Sequence, residues 1–425
     1  MSNPSAHLLE PSRSPRDAAC VMLHPKTIEI VKTTAPILEQ HGEALTRHFY
    51  KRMFSHNPEV APLFNPTNQA AGLQQKALAG AICAYAAHID NLEVLGGAVE
   101  LIAQKHASLR ILPEHYPIVG ANLLASIREV LGEGATEEVI AAWTEAYGFL
   151  ADILIGRERQ IYTSQAVAEN GWNGLKPFRV TRKVSESSVI TSLYLEPADG
   201  KGVPLFKPGQ YITVRIPHPR NGTTMRNYSL SNAPGEKYFR ISVKREPDGF
   251  VSGYFHDQLQ TGDTIEIGPP CGEFFYDPQE KHERPLMLVS AGIGITPILS
   301  ILVSALRSQP DRTIHLVHGA LNRRVHAFGQ MLRDLAAAHP NLKVHFRYSE
   351  CTDEDRVDAA HDSEGLIDAE LLESLVPDRD ADYFFCGPKP FMVGIYHHLL
   401  KWGIPASQVH FEFFGPRQEL EQRAA

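Results

Sequence analysis

LMLVSAGIGITPILSILVSAL, residues Leu286–Leu306, admits two readings that lead to different proteins. The run carries no charged residue and is long enough to cross a bilayer as a helix. It is also broken at Gly292, Gly294 and Pro297, and glycine and proline are the strongest local punctuators of structure. That break predicts a buried strand, a tight turn and a buried helix, and no membrane span.

The same alternation continues downstream. Leu286–Ser290, Ile314–His318, Val344–Tyr348 and Tyr383–Cys386 read as strands, with helical runs at 297–308, 325–338, 368–375 and 389–402 between and after them. Strands alternating with helices predict an α/β doubly wound domain over 285–425. Upstream, after Gly171-Trp172-Asn173-Gly174, short β-rich runs at Phe178–Val184, Val189–Leu195, Tyr211–Ile216 and Tyr238–Lys244 predict an antiparallel β-barrel domain over 172–284. Before that, apolar residues recur at spacings of three and four: Ile28, Val31, Ile37 and Leu38, then Leu45, Phe49, Met53 and Phe54. This predicts an all-α domain over 22–162, with loops at His56-Asn57-Pro58, Asn65-Pro66 and Gly132-Glu133-Gly134 and a helix from Glu137 to Gln160. Residues 1–21 are rich in Ser, Pro and Arg without periodicity and read as a disordered tail. The expectation is a multidomain chain.

Composition narrows the function. A net charge of −8 over 425 residues argues against a nucleic-acid surface, which needs a basic stripe. Cys20, Cys83, Cys271, Cys351 and Cys386 form no CxxC pair, so spacing indicates neither a zinc motif nor a disulfide framework. The N-terminus lacks the apolar core of a secretion signal, and the expected location is cytoplasmic.

Among seven histidines in the helical third, His106 stands out because Val99, Ile102 and Ala103 share its helical face. An imidazole pointing into an apolar interior wants a partner, and haem iron is one that an all-helical domain readily accommodates. Gln74, Leu78, Ile82 and Tyr85 supply a second face at the same spacing; an ordinary amphipathic boundary would look alike. In the barrel, Arg226 and Tyr228 of Arg226-Asn227-Tyr228-Ser229 alternate to one side of a strand, where Arg suits a pyrophosphate and Tyr a flat ring. Pro208-Gly209-Gln210-Tyr211 precedes them, and Val251-Ser252-Gly253 opens a helix whose N–H groups can meet phosphates. Ser290-Ala291-Gly292-Ile293-Gly294-Ile295-Thr296-Pro297 follows a strand and opens a helix, with Thr296 as cap and Pro297 in the first turn. Pro297 stands where a GxGxxG fingerprint has its third glycine. Cys386-Gly387-Pro388 and Phe411-Glu412-Phe413-Phe414-Gly415-Pro416 close the set.

The helical stretch LTRHFYKRMF (45–54), with Leu63-Phe64-Asn65, Gln104-Lys105-His106-Ala107-Ser108, PEHYPIVG (113–120) and Ala146-Tyr147-Gly148, closely resembles the globin domain of bacterial flavohaemoglobins. The remaining motifs resemble the ferredoxin–NADP reductase family, and together the resemblance covers about 22–416. It implies haem b held by His106 as proximal ligand, with Tyr50, Gln74 and Leu78 on the distal side and Tyr116 and Glu158 on the proximal side. It implies FAD at Tyr211, Arg226, Asn227, Tyr228, Ser229 and Ser252. NADH or NADPH is expected at Gly292, Ile293, Gly294, Ile295, Thr296 and Pro297 with Cys386. Phe414 would stack on the flavin, beside Phe413, Gly415 and Pro416, with Glu412 as a partner of the redox centres. Lys105 would meet a haem propionate or the flavin face, or simply solvent. The activity implied is nitric oxide dioxygenase: NAD(P)H reduces FAD, FAD reduces the haem iron, and nitric oxide and O2 become nitrate. The expected protein is monomeric. A haem-based gas sensor, or a peroxide or ferric reductase on the same architecture, are the alternatives.

Overall fold

The computed structural model describes residues 23–64, 72–219, 222–280, 283–357, 359–376 and 379–414, with Leu73 described by its backbone alone. The expected N-terminal tail, the Asn65-Pro66 loop and the pair Gly415-Pro416 lie outside the described residues.

The first third is helical throughout. Helix α1 (Pro25–His56) starts where the His24 side chain accepts the Lys26 N–H, and Pro25, which has no N–H to satisfy, occupies its first turn. Helices α2 (Leu73–Ala87), α3 (Gly96–Ser108), α4 (His115–Leu131) and α5 (Glu137–Val167) follow. Val31, Leu38, Leu45, Phe49 and Met53 form one stripe of α1 and pack with Tyr85, Ile127, Trp143 and Ala146 into a buried core. Gly42 lets α1 approach α2 closely, since a Cβ there would lie 3.3 Å from Ala79 Cβ. Thr136 caps α5 by accepting the Val139 N–H. This helix runs past the expected end at Gln160 because nothing breaks it before Asn170, whose φ is 60°, and Gly171. By length and apolarity alone α5 passes for a membrane span, yet its second half carries Arg157, Glu158 and Arg159, and it packs on α1, α3 and α4.

The middle third is a six-stranded antiparallel sheet in the order β4-β3-β6-β1-β2-β5. Its strands are β1 (Lys176–Ser185), β2 (Ile190–Pro197), β3 (Tyr211–His218), β4 (Gly222–Ser229), β5 (Phe239–Lys244) and β6 (Thr264–Ile267). A bridge between Leu230 and Ile241 joins the two edge strands, which closes the sheet into the expected barrel. Alternate residues Phe178, Val180, Leu193, Leu195, Ile212, Val214 and Ile216 fill it. A short helix, α6 (Phe250–Gly253), runs into a wider turn at Tyr254–Gln258. Strand β6 is too short and too mixed in polarity for a periodicity argument to find.

The last third is a six-stranded parallel sheet in the order β10-β9-β8-β7-β11-β12. Its strands are β7 (Leu286–Ala291), β8 (Ile314–Ala320), β9 (Leu342–Tyr348), β10 (Ser363–Glu364), β11 (Asp382–Cys386) and β12 (Val409–Glu412). Helices α7 (Ile295–Ser308), α8 (Gly329–Ala338), α9 (Asp353–Val357), α10 (Ala369–Leu375) and α11 (Lys389–Lys401) connect them. The opening stretch is therefore β7, a turn and α7, both buried, as the glycine break predicted. Helix α8 starts at Gly329 rather than 325, because Phe328 sits in the left-handed region at φ 64° and cannot continue a right-handed helix. The chain winds one way from β7 to β8 and the other way to β11, so the crevice at the carboxyl ends of β7 and β11 is the place where open α/β sheets bind ligands.

Candidate functional site

The helical third places a hydrogen-bonded trio on α3, α4 and α5. His106 Nδ1 lies 2.7 Å from Glu158 Oε1 and 3.0 Å from the Tyr116 hydroxyl, and that hydroxyl donates to the same Oε1 at 2.5 Å. Tyr147 donates to the Tyr116 carbonyl at 2.7 Å, which fixes the backbone of α4 beneath the trio. Glu158 is 1% exposed, and its Oε2 has no hydrogen-bond partner. A buried carboxylate can only accept, so the imidazole carries its proton on Nδ1 and presents the lone pair of Nε2. Burial, and then the neighbouring Glu158, raise the Tyr116 phenol well above its ordinary value, which keeps it a donor.

A second group gathers on α1 and α2. Tyr50 is buried edge-on against Phe49 at 5.0 Å and Phe64 at 5.7 Å, and desolvation raises its phenol. Its hydroxyl makes no hydrogen bond among the described residues. Gln74, Leu78 and Ile82 are half-buried along α2, with Leu78 and Ile82 packed on the same core. Haem fits these residues: an imidazole Nε2 that meets no hydrogen-bonding group among the described residues, a phenol held as donor, and apolar side chains turned inward without being fully covered.

The barrel meets the helical unit at α3 and α5. Gln104 accepts the Gly272 N–H at 3.0 Å, and Gln165 donates to the Pro270 carbonyl at 3.3 Å. Tyr211 is buried in one cluster with Ala103, Ala107, Tyr116, Leu154 and Cys271, so its ring belongs to the barrel and to the helical unit together. Glu412, at the end of β12, is pushed up to about 8 by burial and by Glu273, while the Lys105 charge pulls it back down. Lys105 is half-buried on α3, and its charge reaches Glu412 of the reductase part.

On the barrel, Arg226 and Tyr228 share one side of β4 and Asn227 faces the other, where it accepts from Thr213 at 2.8 Å. Arg226 donates to Thr224 Oγ1 and to the Met225 carbonyl, and Tyr228 packs edge-on against Phe255. Ser229 is buried. The Ser252 hydroxyl is already used within its own turn, donating to the Gly249 carbonyl and accepting the Glu246 N–H. Phe414 is 57% exposed, whereas Phe413 packs into the α/β core. FAD fits here: a charged fork and a phenol on one face of a barrel strand, and a bare aromatic ring just past β12.

At the crevice, Gly292 takes φ 54°, which a β-carbon would oppose. A Cβ on Gly294 would overlap the Cys386 carbonyl oxygen, so only glycine lets the turn after β7 pass this close to the end of β11. Cys386 pairs in register with Ser290 on one side and Glu412 on the other, and burial raises its thiol well above the ordinary value. Thr296 does not cap the helix as expected. Its hydroxyl donates to the Ile293 carbonyl at 3.0 Å, because α7 starts at Ile295 with Gly294 as cap, leaving the first N–H groups without a side-chain partner. Ile295, Thr296 and Pro297 are buried behind that turn. A dinucleotide phosphate fits it.

Sequence reasoning gave Gln104 and Gln165 no role, although Gln104 sits inside the QKHAS string. A polar side chain that reaches another domain carries no periodic signal.

Comparison with known proteins follows these three units. The chain matches the models Globin over 47–154, Oxidoreductase FAD-binding domain over 177–276 and Oxidoreductase NAD-binding domain over 288–397. A flavohemoprotein of Rhodopirellula baltica is 50% identical over 406 residues, 94% of this chain and 99% of the relative. The flavohemoglobin of Malassezia yamatoensis, solved with bound FAD and heme, superposes with a TM-score of 0.81 at 28% identity, covering 92% of this chain and all of its own (100%). The flavohem-like FAD/NAD binding domain of nitric oxide dioxygenase from Vibrio cholerae is 33% identical, with a TM-score of 0.50 over 57% of this chain and 99% of that one. The cofactors are haem, FAD and a nicotinamide dinucleotide, and the protein is an oxidoreductase. Three units in this order, matched along nearly its whole length, make the chain a member of the flavohemoprotein family.

Proposed function

We propose that the chain is an NAD(P)H-dependent nitric oxide dioxygenase. The observation that carries this reading is the hydrogen-bonded trio of half-buried His106 with buried Glu158 and Tyr116. When bound, haem supplies oxygen binding and one-electron chemistry, and FAD splits the electron pair of a hydride into single electrons. His106 would hold the iron through Nε2. Glu158, accepting from Nδ1, fixes the tautomer and makes the ring a stronger electron donor, as outer-shell carboxylates do in other metal sites. Tyr116 shares the same carboxylate oxygen and positions it. Tyr50 would offer an O–H to a diatomic ligand, and Gln74 and Leu78 of α2 would complete the distal side. Arg226, Asn227, Tyr228, Ser229 and Ser252 with Tyr211 and Phe414 would hold the flavin. The turn at Gly292–Pro297, with Cys386, would hold the nicotinamide dinucleotide. The Lys105 charge is felt by Glu412, so the helical unit and the end of β12 would share the region where the two redox units meet. The flavohemoprotein relatives and the nitric oxide dioxygenase domain of Vibrio cholerae support the same reading.

The test is NADH consumption under O2 with nitric oxide, hydrogen peroxide or ferric chelate added in turn, with nitrate measured alongside. Nitric oxide should drive the fastest consumption, with nitrate as product. Glu158→Gln should lower that rate about 10–100-fold while flavin reduction by NADH stays unchanged. Consumption indifferent to nitric oxide, or faster with peroxide, would defeat the proposal.

A further inference from the structure

Cys351, His361 and Glu364 stand apart from the redox centres, at the outer edge of the parallel sheet. Cys351 follows the carboxyl end of β9, and Glu364 ends the neighbouring β10. Cys351 Sγ lies 3.4 Å from His361 Nε2, and the same nitrogen lies 3.6 Å from Glu364 Oε1. All three donor atoms fall within 4.8 Å of one another.

We propose that Cys351, His361 and Glu364 form a site for a single zinc-class divalent cation. Tetrahedral zinc takes sulfur at about 2.3 Å, imidazole nitrogen at about 2.0–2.1 Å and carboxylate oxygen at about 2.0–2.2 Å, which sets neighbouring donors about 3.3–3.6 Å apart. The two measured separations match that spacing without a rotamer change. The donor set of one thiolate, one imidazole and one carboxylate selects zinc over magnesium or calcium, which prefer oxygen alone.

The donors are also held in place. The His361 side chain is 9% exposed and stacks on Tyr348 at 5.1 Å with 19° between the ring planes. Arg356 grips both oxygens of Glu364 at 2.9 and 3.1 Å, yet each carboxylate oxygen has a second lone pair to offer. Asp355 accepts the N–H groups of Thr352 and Arg323, which ties the segment to the loop after β8. Glu364 is half exposed, so the fourth position faces solvent and takes water. The cation would staple residues 351–364 across the carboxyl edge of the sheet. A CxxC search misses the site because its donors are a cysteine and, ten residues later, a His-x-x-Glu pair.

The experiment uses haem- and flavin-loaded protein stripped with EDTA and dialysed against buffered Zn2+, with bound metal counted per chain by mass spectrometry. Wild type should take up one zinc. Cys351→Ser and His361→Gln should each weaken uptake by at least ~10-fold, while Cys83→Ser leaves it unchanged. In the wild type, Zn2+ should slow iodoacetamide alkylation of Cys351 by at least ~10-fold, and Mg2+ should not. Equal zinc uptake by wild type and both site variants, or alkylation of Cys351 indifferent to Zn2+, overturns the site and leaves a plain Cys–His hydrogen bond.

Discussion

His326 is packed between His318 at 4.9 Å, Phe346 at 4.4 Å and Tyr348, whose hydroxyl it meets at 2.7 Å. Burial, helped by the Arg333 charge, pushes its pKa down to about 4. An imidazole in the unfolded chain titrates near 6.5, so between these values the unfolded state binds the extra proton. The stabilisation is fully present above about pH 6.5 and is lost as pH falls towards 4, amounting to about 3 kcal/mol at most. Denaturant unfolding of the reductase part at pH 7 and pH 4.5 should therefore show a steeper loss for wild type than for His326→Gln. Parallel losses would mean that His326 is not the group that titrates. The histidine count could be read in the sequence, but which histidines are buried could not, because burial here comes from β8, β9 and the loop between them closing together.

At the scale of elements, the turn between β7 and α7 was the most legible feature of the chain. Two glycines and a proline in an apolar run force a break wherever the run folds. Why Gly294 must be glycine was not legible, since the obstacle is the backbone of β11, almost a hundred positions away in sequence. Gly294→Ala should cost about 1–3 kcal/mol and raise the KM for NADH, measured by thermal unfolding of the reductase part and by steady-state kinetics. An alanine variant with unchanged Tm and KM would show that the turn after β7 can move away from the end of β11 at no cost. Phe328 makes the same point for helix limits: a non-glycine residue at φ 64° delays α8, and nothing in its local sequence demands it.

For the whole molecule, the units meet through apolar packing, with Ile190, Phe274 and Tyr276 of the barrel buried in the α/β core, and through polar contacts around it. Gln104 holds the Gly272 N–H, Gln165 reaches Pro270, and Ser300 of α7 donates to the Asn232 carbonyl of the barrel at 2.7 Å. Tyr211 and Cys271 complete the apolar centre between barrel and helices. On the proposed function, electron transfer between flavin and haem would depend on that contact, whereas hydride transfer within the reductase would not. Stopped-flow mixing of Gln104→Leu with NADH should show flavin reduction at the wild-type rate and haem reduction slowed several-fold. Equal slowing of both steps would point to a general loss of folding.

The order of the three units, the helical, barrel and doubly wound characters, and the motifs Arg226–Ser229, Ser290–Pro297 and Cys386–Pro388 were set by local chemistry. Periodicity, β-branching and glycine act within a few residues, so a linear reading reaches them. Tertiary structure alone decided that Glu158 meets His106 across 52 positions, that the Lys105 charge is felt by Glu412, and that Cys351 meets His361. Those pairings depend on which helix faces and strand ends become neighbours once the apolar surface is buried, and burial is a property of the assembled chain.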